Sequence, residues 1–423
     1  MKNSSIRLAL ASALLAALPA ASRAQEWQTI YNSAIQGRSE INGDAGVDAA
    51  GGLHVVGRAI APDGTSQAIV KRSADGGTTW NDIDAYAEPG LSYTHHRAFA
   101  VDSGTGALLA GGNLNNLLPN GAYEFDTLWF IRQWTPETGV WQTIDDSLDL
   151  LNEDLGQASC ADILVTPGGD VYATGGGQLG TGLGWLVRRR AAGSPGFAAV
   201  DVDRSGRTAG AGWDLAYHPQ HGIFAVGEVN GIWTVRGSLS GDLGSWATKD
   251  SFTVRRQWGG GQARSVLVAG NGDVFVAGSA YSQKTYKNHW VVRRSTDGGG
   301  TWTIVDDVAP GGTQAAAHGI AEDGRGGFLA CGYVMQKQPD GSFKQHWIVR
   351  RGNLVTKTIR QKGQTLTTLV WEWATIDDYQ IAPGQNAWAN VVTVDAQGNV
   401  FTSGSGRDGQ GIERMVVRTS PAQ

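Results

Sequence analysis

One short segment recurs seven times along this chain and limits what it can fold into. It reads aromatic, any residue, Val or Ile, base. The copies are Ala68-Ile69-Val70-Lys71, Trp129-Phe130-Ile131-Arg132, Trp185-Leu186-Val187-Arg188 and Trp233-Thr234-Val235-Arg236, then Trp290-Val291-Val292-Arg293, Trp347-Ile348-Val349-Arg350 and Met415-Val416-Val417-Arg418. Their bases stand about 58 residues apart on average, the length of four short strands with their loops. Before each copy runs a strand ending in glycine, such as Val171-Tyr172-Ala173-Thr174-Gly175, and before that a short apolar strand, such as Val391 to Val394. After each base come a turn and a fourth strand, such as Trp141-Gln142-Thr143-Ile144 or Trp302-Thr303-Ile304-Val305. Each repeat is therefore a four-stranded meander, and helical periodicity is absent beyond the first residues.

The seventh repeat stops one strand short, at Ser420-Pro421-Ala422-Gln423, and the missing strand is at the other end. There Trp27-Gln28-Thr29-Ile30 copies Trp141-Gln142-Thr143-Ile144. A repeat split between the two ends closes a ring and removes an open sheet edge, which a linear solenoid has no need to do. The expected fold is an all-β, seven-bladed propeller whose N-terminal strand completes the last blade. It forms one domain over residues 25–423, and the 61 glycines supply its many tight turns.

Residues 1–24 read as a signal peptide: Lys2 and Arg7, an apolar run from Leu8 to Leu18, then Ser22-Arg23-Ala24. That run is shorter than the roughly 18–20 residues a spanning helix needs. The expectation is a secreted or periplasmic, monomeric protein with no membrane partner. Losing Lys2, Arg7 and Arg23 makes the chain three units more negative than its formal −5, which argues against a nucleic-acid partner. Cys160 and Cys331 fall in repeats three and six, far apart on a ring, so no disulfide is expected.

Two turns between third and fourth strands share Ser-x-Asp-x-Gly-x-Thr-Trp: Ser73-Ala74-Asp75-Gly76-Gly77-Thr78-Thr79-Trp80 and Ser295-Thr296-Asp297-Gly298-Gly299-Gly300-Thr301-Trp302. Degenerate forms occur at Trp134–Trp141 and Ser238–Trp246. The signature resembles the Asp-box, or bacterial neuraminidase repeat, of sialidase-like propellers. Its aspartate can tie down backbone N–H groups in the turn while its tryptophan packs between strands. The resemblance implies the fold and places the boxes on the face away from family active sites. The chain lacks the early Arg-Ile-Pro motif of sialidases, so no catalytic residue is carried over and no activity follows from the fold.

A site is expected where the innermost strands diverge while the outer strands stay alike. Aligned on their apolar positions, those strands place Asp44, Ala98, Asp162, Asp214, Ser265, His318 and Val391 in one ring at the channel mouth opposite the boxes. The position before holds Arg97, Trp213, Arg264 and Asn390, and Tyr281, Lys284, Tyr286, Tyr333 and the insertion from Asn113 to Asp126 flank the mouth. Asp44, Asp162, Asp214 and His318 are candidate acid–base residues; Arg97, Trp213, Arg264, Tyr281 and Asn390 are candidate substrate contacts. The competing reading makes each aspartate an acceptor for backbone N–H groups where the inner strand starts, with the arginines neutralising them. No metal-ligand spacing and no phosphate loop occur, so neither metal nor cofactor is expected. The tryptophans of the repeated segment recur too regularly for ligand contacts and are assigned to blade packing. The functional expectation is a carbohydrate-active protein, of glycosidase or polysaccharide lyase type. A glycan-binding lectin and a scaffold with a protein ligand are the alternatives.

Overall fold

The structure, a computed structural model, describes residues 26–34, 37, 39–116, 128–146, 155–179, 182–203, 210–252, 258–309, 313–361 and 364–422. Residues 1–24, read above as a signal peptide, and residues 117–126 of the expected insertion lie outside them. The described residues form 28 strands and no helix, arranged as seven four-stranded antiparallel sheets. Blades one to six span residues 39–86, 93–146, 155–203, 210–252, 258–308 and 315–379. Blade seven joins three strands between residues 387 and 420 to the N-terminal strand Gln28–Asn32, which pairs with Glu413–Ser420. The closing strand thus begins one residue later than Trp27 and runs two residues past Ile30.

The seven-fold segment forms the third strand of every blade, and its tryptophan is the packing unit. Trp129, Trp185, Trp233, Trp290 and Trp347 are fully buried. Each lies on a glycine inside the second strand of the next blade, which runs on past the glycine where the sequence pattern ended it: a Cβ added at Gly227 would stand 2.6 Å from Trp185, and one at Gly278 would stand 2.7 Å from Trp233. The base of the segment crosses the same interface. Arg350 of blade six forks onto Asp306 of blade five through Nε at 2.8 Å and Nη2 at 3.0 Å. Equivalent pairs are Arg132–Asp84, Arg188–Asp145, Arg236–Asp201, Arg293–Asp250 and Arg418–Asp377. Planar guanidinium suits such a fork, and burial makes breaking it costly.

The seventh interface, where the ring closes, is built differently. Tyr31 occupies the aspartate position and donates to Glu40, while Lys71 pairs with Glu40 at 3.1 Å and also with Asp82. Lys71 and Glu40 are both buried.

Blade six departs from the repeat in another way. Its outer strands, Phe343–Gln361 and Gln364–Tyr379, stay paired to the Gln361–Gln364 step and form a long ribbon where other blades turn. Cys160 and Cys331 are buried and free.

Candidate functional site

Every innermost strand carries a β-bulge at the same place. The register skips one residue between Asn42 and Asp44, His96 and Ala98, Cys160 and Asp162, and Gly212 and Asp214. It does so again between Ala263 and Ser265, Ala317 and Gly319, and Ala389 and Val391. A bulge re-aims the extra side chain. The seven extra residues are Gly43, Arg97, Ala161, Trp213, Arg264, His318 and Asn390, and all line one cavity of about 550 Å³ on the ring axis. Asp44, Asp162 and Asp214 follow the bulges and line it too.

This corrects the register of one candidate. His318 is the bulge residue of blade six, level with Arg97 and Arg264, and Gly319 is the counterpart of Asp44. Alternation is preserved on either side of a bulge, so apolar positions alone misplace it by one.

The aspartates are tied to backbone in mid-strand rather than at strand starts. Asp44 accepts from the N–H of Ala45 at 2.7 Å and of Phe99, in blade two, at 2.8 Å. Asp162 accepts from Leu215 of blade four at 2.9 Å, and Asp214 accepts from Leu215 at 2.8 Å and Val266 of blade five at 2.8 Å. Each therefore joins its blade to the next, as the competing reading anticipated in kind. Burial raises the Asp44 carboxyl to about 7. Burial, then the charges of Asp214 and Asp44, push Asp162 well above the usual carboxylate range. Burial also raises Asp214, but hydrogen bonds from Asp162, Ser265 and the backbone oppose it. Asp162 and Asp214 therefore both titrate above the usual carboxylate range.

The remaining lining groups form a polar ring. Burial and the Arg264 charge lower His318 to about 4, so its imidazole is neutral and donates from Nδ1 to the Ala389 carbonyl at 2.9 Å. Arg264 lies over Trp213, 4.1 Å from the ring centre, and donates to Gln262. Arg97 is exposed and donates to Asn113 at 2.8 Å. Asn390 donates to Asn42 Oδ1 at 3.2 Å. Asn42 and His95 also line the cavity; alternation does not find Asn42, because counting back from Asp44 crosses the bulge. Tyr333 meets His318 edge-on at 5.5 Å, but Tyr281 is 38% exposed and outside the cavity lining. Among the described residues no three His, Cys, Asp or Glu side chains are grouped to hold a metal ion.

No protein-family model matches the chain, and no curated protein matches it. Among similar solved structures is an ancestral GH74 enzyme, 12% identical, covering 90% of this chain and 48% of that one with a TM-score of 0.53. A protein of unknown function from Dyadobacter fermentans is 13% identical over 95% of this chain and 99% of that one, with a TM-score of 0.42. Trypanosoma rangeli sialidase is 11% identical over 90% of this chain and 54% of that one, with a TM-score of 0.43. The chain spans about half the length of the GH74 enzyme and of the sialidase. At such identity the likeness to the GH74 enzyme shows a shared fold alone.

Proposed function

We propose that the chain is an exported, carbohydrate-active propeller that holds an acidic glycan in its central cavity. The ring of bulged residues supports this best. At that one position the repeats diverge to Arg97, Trp213, Arg264, His318 and Asn390, where a ring serving only the fold would keep one residue type. Sugar rings stack their C–H faces on an indole, and guanidinium groups pair with carboxylates. Arg264 beside Trp213 combines both. Export rests on the pattern of residues 1–24.

The geometry favours binding over cleavage. Paired glycosidase carboxyls flank an open gap of about 5–9.5 Å, whereas Asp162 and Asp214 are occupied by backbone N–H groups of the next blade. Cleavage by a glycosidase or lyase remains a second reading for one reason: the Asp44 carboxyl, raised to about 7, matches proton transfer near neutral pH. In that reading Asp44 exchanges the proton, with Asp162, Asp214 and His318 around it.

A glycan array combined with product analysis tests both. The expected result is binding of carboxylate-bearing glycans, weakened at least tenfold in Arg264→Ala or Arg97→Ala, without product. Turnover lost by about a hundredfold in Asp44→Asn would establish the second reading. Arginine variants that bind like the parent, or no glycan binding at all, would sink the glycan site and leave the scaffold class.

A further inference from the structure

A second cavity, of about 530 Å³, lies between blades one and two on the face of the third-to-fourth-strand turns. Small-molecule sites run from about 300 to 1,000 Å³. Trp134, Pro136 and Trp141 of blade two face Ile83 of blade one across it, and Asp48, His54 and Arg72 form its polar corner.

The repeat explains why space opens here. In blade one the box tryptophan, Trp80, donates its indole N–H to the Ile30 carbonyl of the preceding blade at 3.2 Å. Trp302 of blade five does the same to Lys249 at 3.2 Å. Each thereby seals a gap between blades. In blade two the Ser, Asp and Thr of the box are replaced by Trp134, Pro136 and Val140. Trp141 keeps the box position, but its buried N–H has no partner, and the cavity separates it from Ile83, the counterpart of Ile30 and Lys249. In the same interface His54 stands where the other blades have Leu109, Tyr172, Phe224, Phe275, Leu329 and Phe401. Departures from the repeat therefore coincide with the cavity.

We propose that this cavity binds a small, uncharged, ring-shaped molecule bearing an oxygen acceptor, about the size of two fused six-membered rings. The two indoles and Pro136 offer flat apolar surface to such a ring. No charge in the corner is spare. Asp48 accepts from Arg72 Nη2 at 3.1 Å, from the Gly52 N–H at 2.7 Å and is 3.0 Å from His54 Nε2. Asp102, at the rim, accepts from Gly104 and Thr105 of its own turn. An anion would meet these carboxylates and a cation would meet Arg72. A sugar would set its hydroxyls against Ile83 and Pro136 without partners, which is costly. A buried unpaired N–H is costly as well, and a small rotation of the Trp141 ring toward a ligand oxygen removes that cost.

Calorimetry with 2-naphthol as the probe tests the site, with 2-naphthoate and methyl glucoside as comparators. The expected result is one 2-naphthol per chain, with both comparators at least tenfold weaker and affinity reduced at least tenfold in Trp134→Ala and Trp141→Ala. Should those variants melt early, Ala50→Trp serves instead. Ala50 is exposed at the cavity rim, so the added ring fills the space from the solvent side without disturbing the core. The site is overturned if 2-naphthol shows no binding up to its solubility limit, or binds Ala50→Trp as it binds the parent. Equal binding of 2-naphthoate or methyl glucoside overturns the ligand class.

Discussion

Single residues in this molecule are constrained by the neighbouring blade as much as by their own. Gly227 is an example: a Cβ there would stand 2.0 Å from the Ala211 carbonyl oxygen and 2.6 Å from the Trp185 ring. Neither backbone nor a buried indole yields readily, so Gly227→Ala should lower stability by about 1–3 kcal/mol in urea unfolding. Gly409→Ala, with nothing within 4 Å of its Cβ, should stay within about 0.5 kcal/mol. Asp44 makes the residue scale visible in pH. Its carboxyl titrates near 3.8 when unfolded and about 7 when folded, so between those values the folded chain holds a proton the unfolded chain has lost. The stabilisation is complete below pH 4 and disappears as pH rises through 7. Asp162 and Asp214, also raised, act in the same direction. Asp75 and Asp297, lowered to about 2 by hydrogen bonds in their turns, act oppositely and only in acid. The buried imidazoles of His54, His95, His96 and His318, all lowered by desolvation, oppose this below about pH 6.5. Melting temperature should therefore fall between about pH 6.5 and pH 8, and Asp44→Asn should flatten that slope. An unchanged slope in that variant would assign the effect to other groups.

Among the elements, the N-terminal strand has the largest consequence for its size. Gln28–Asn32 supplies the outer strand of blade seven, and Tyr31 carries the hydroxyl that meets Glu40 of blade one. Ile30 also offers its carbonyl to Trp80. Removing residues 25–32 opens a sheet edge, strips Tyr31 from the closing interface and leaves the Lys71–Glu40 pair beside a void. A loss of several kcal/mol is expected, since truncating one large buried aromatic costs about 3–5. A truncated chain that melts with the parent would show that the ring closes without this strand. The strand was legible because Trp-Gln-Thr-Ile occurs twice in the sequence. The long ribbon of blade six was not. Only Trp373 to Ile376 matched the repeat, and the paired residues beyond it answer to no other blade.

At the scale of the whole molecule, the two cavities share an origin: each lies where the repeats stop repeating. The axial one is lined by the bulge positions of all seven blades, and the lateral one replaces a box turn at a single interface. Blade number, strand order, ring closure and two separated thiols could be read from the sequence, because they follow from counting a period and from alternation within short strands. The partners of Arg132, Arg188 and the other segment arginines could not. They lie 35 to 48 residues earlier in the neighbouring blade, and no local pattern links them. The position of His318 could not either, since a bulge adds one residue without disturbing the alternation that surrounds it. Nor could the protonation of Asp44, Asp162 and Asp214, which depends on how closely the closed ring brings three carboxyls together and how little water it leaves them. Sequence determined what repeats, because each blade is a local unit. Tertiary structure decided what faces the axis and what the charges do there, because both depend on seven units meeting at once.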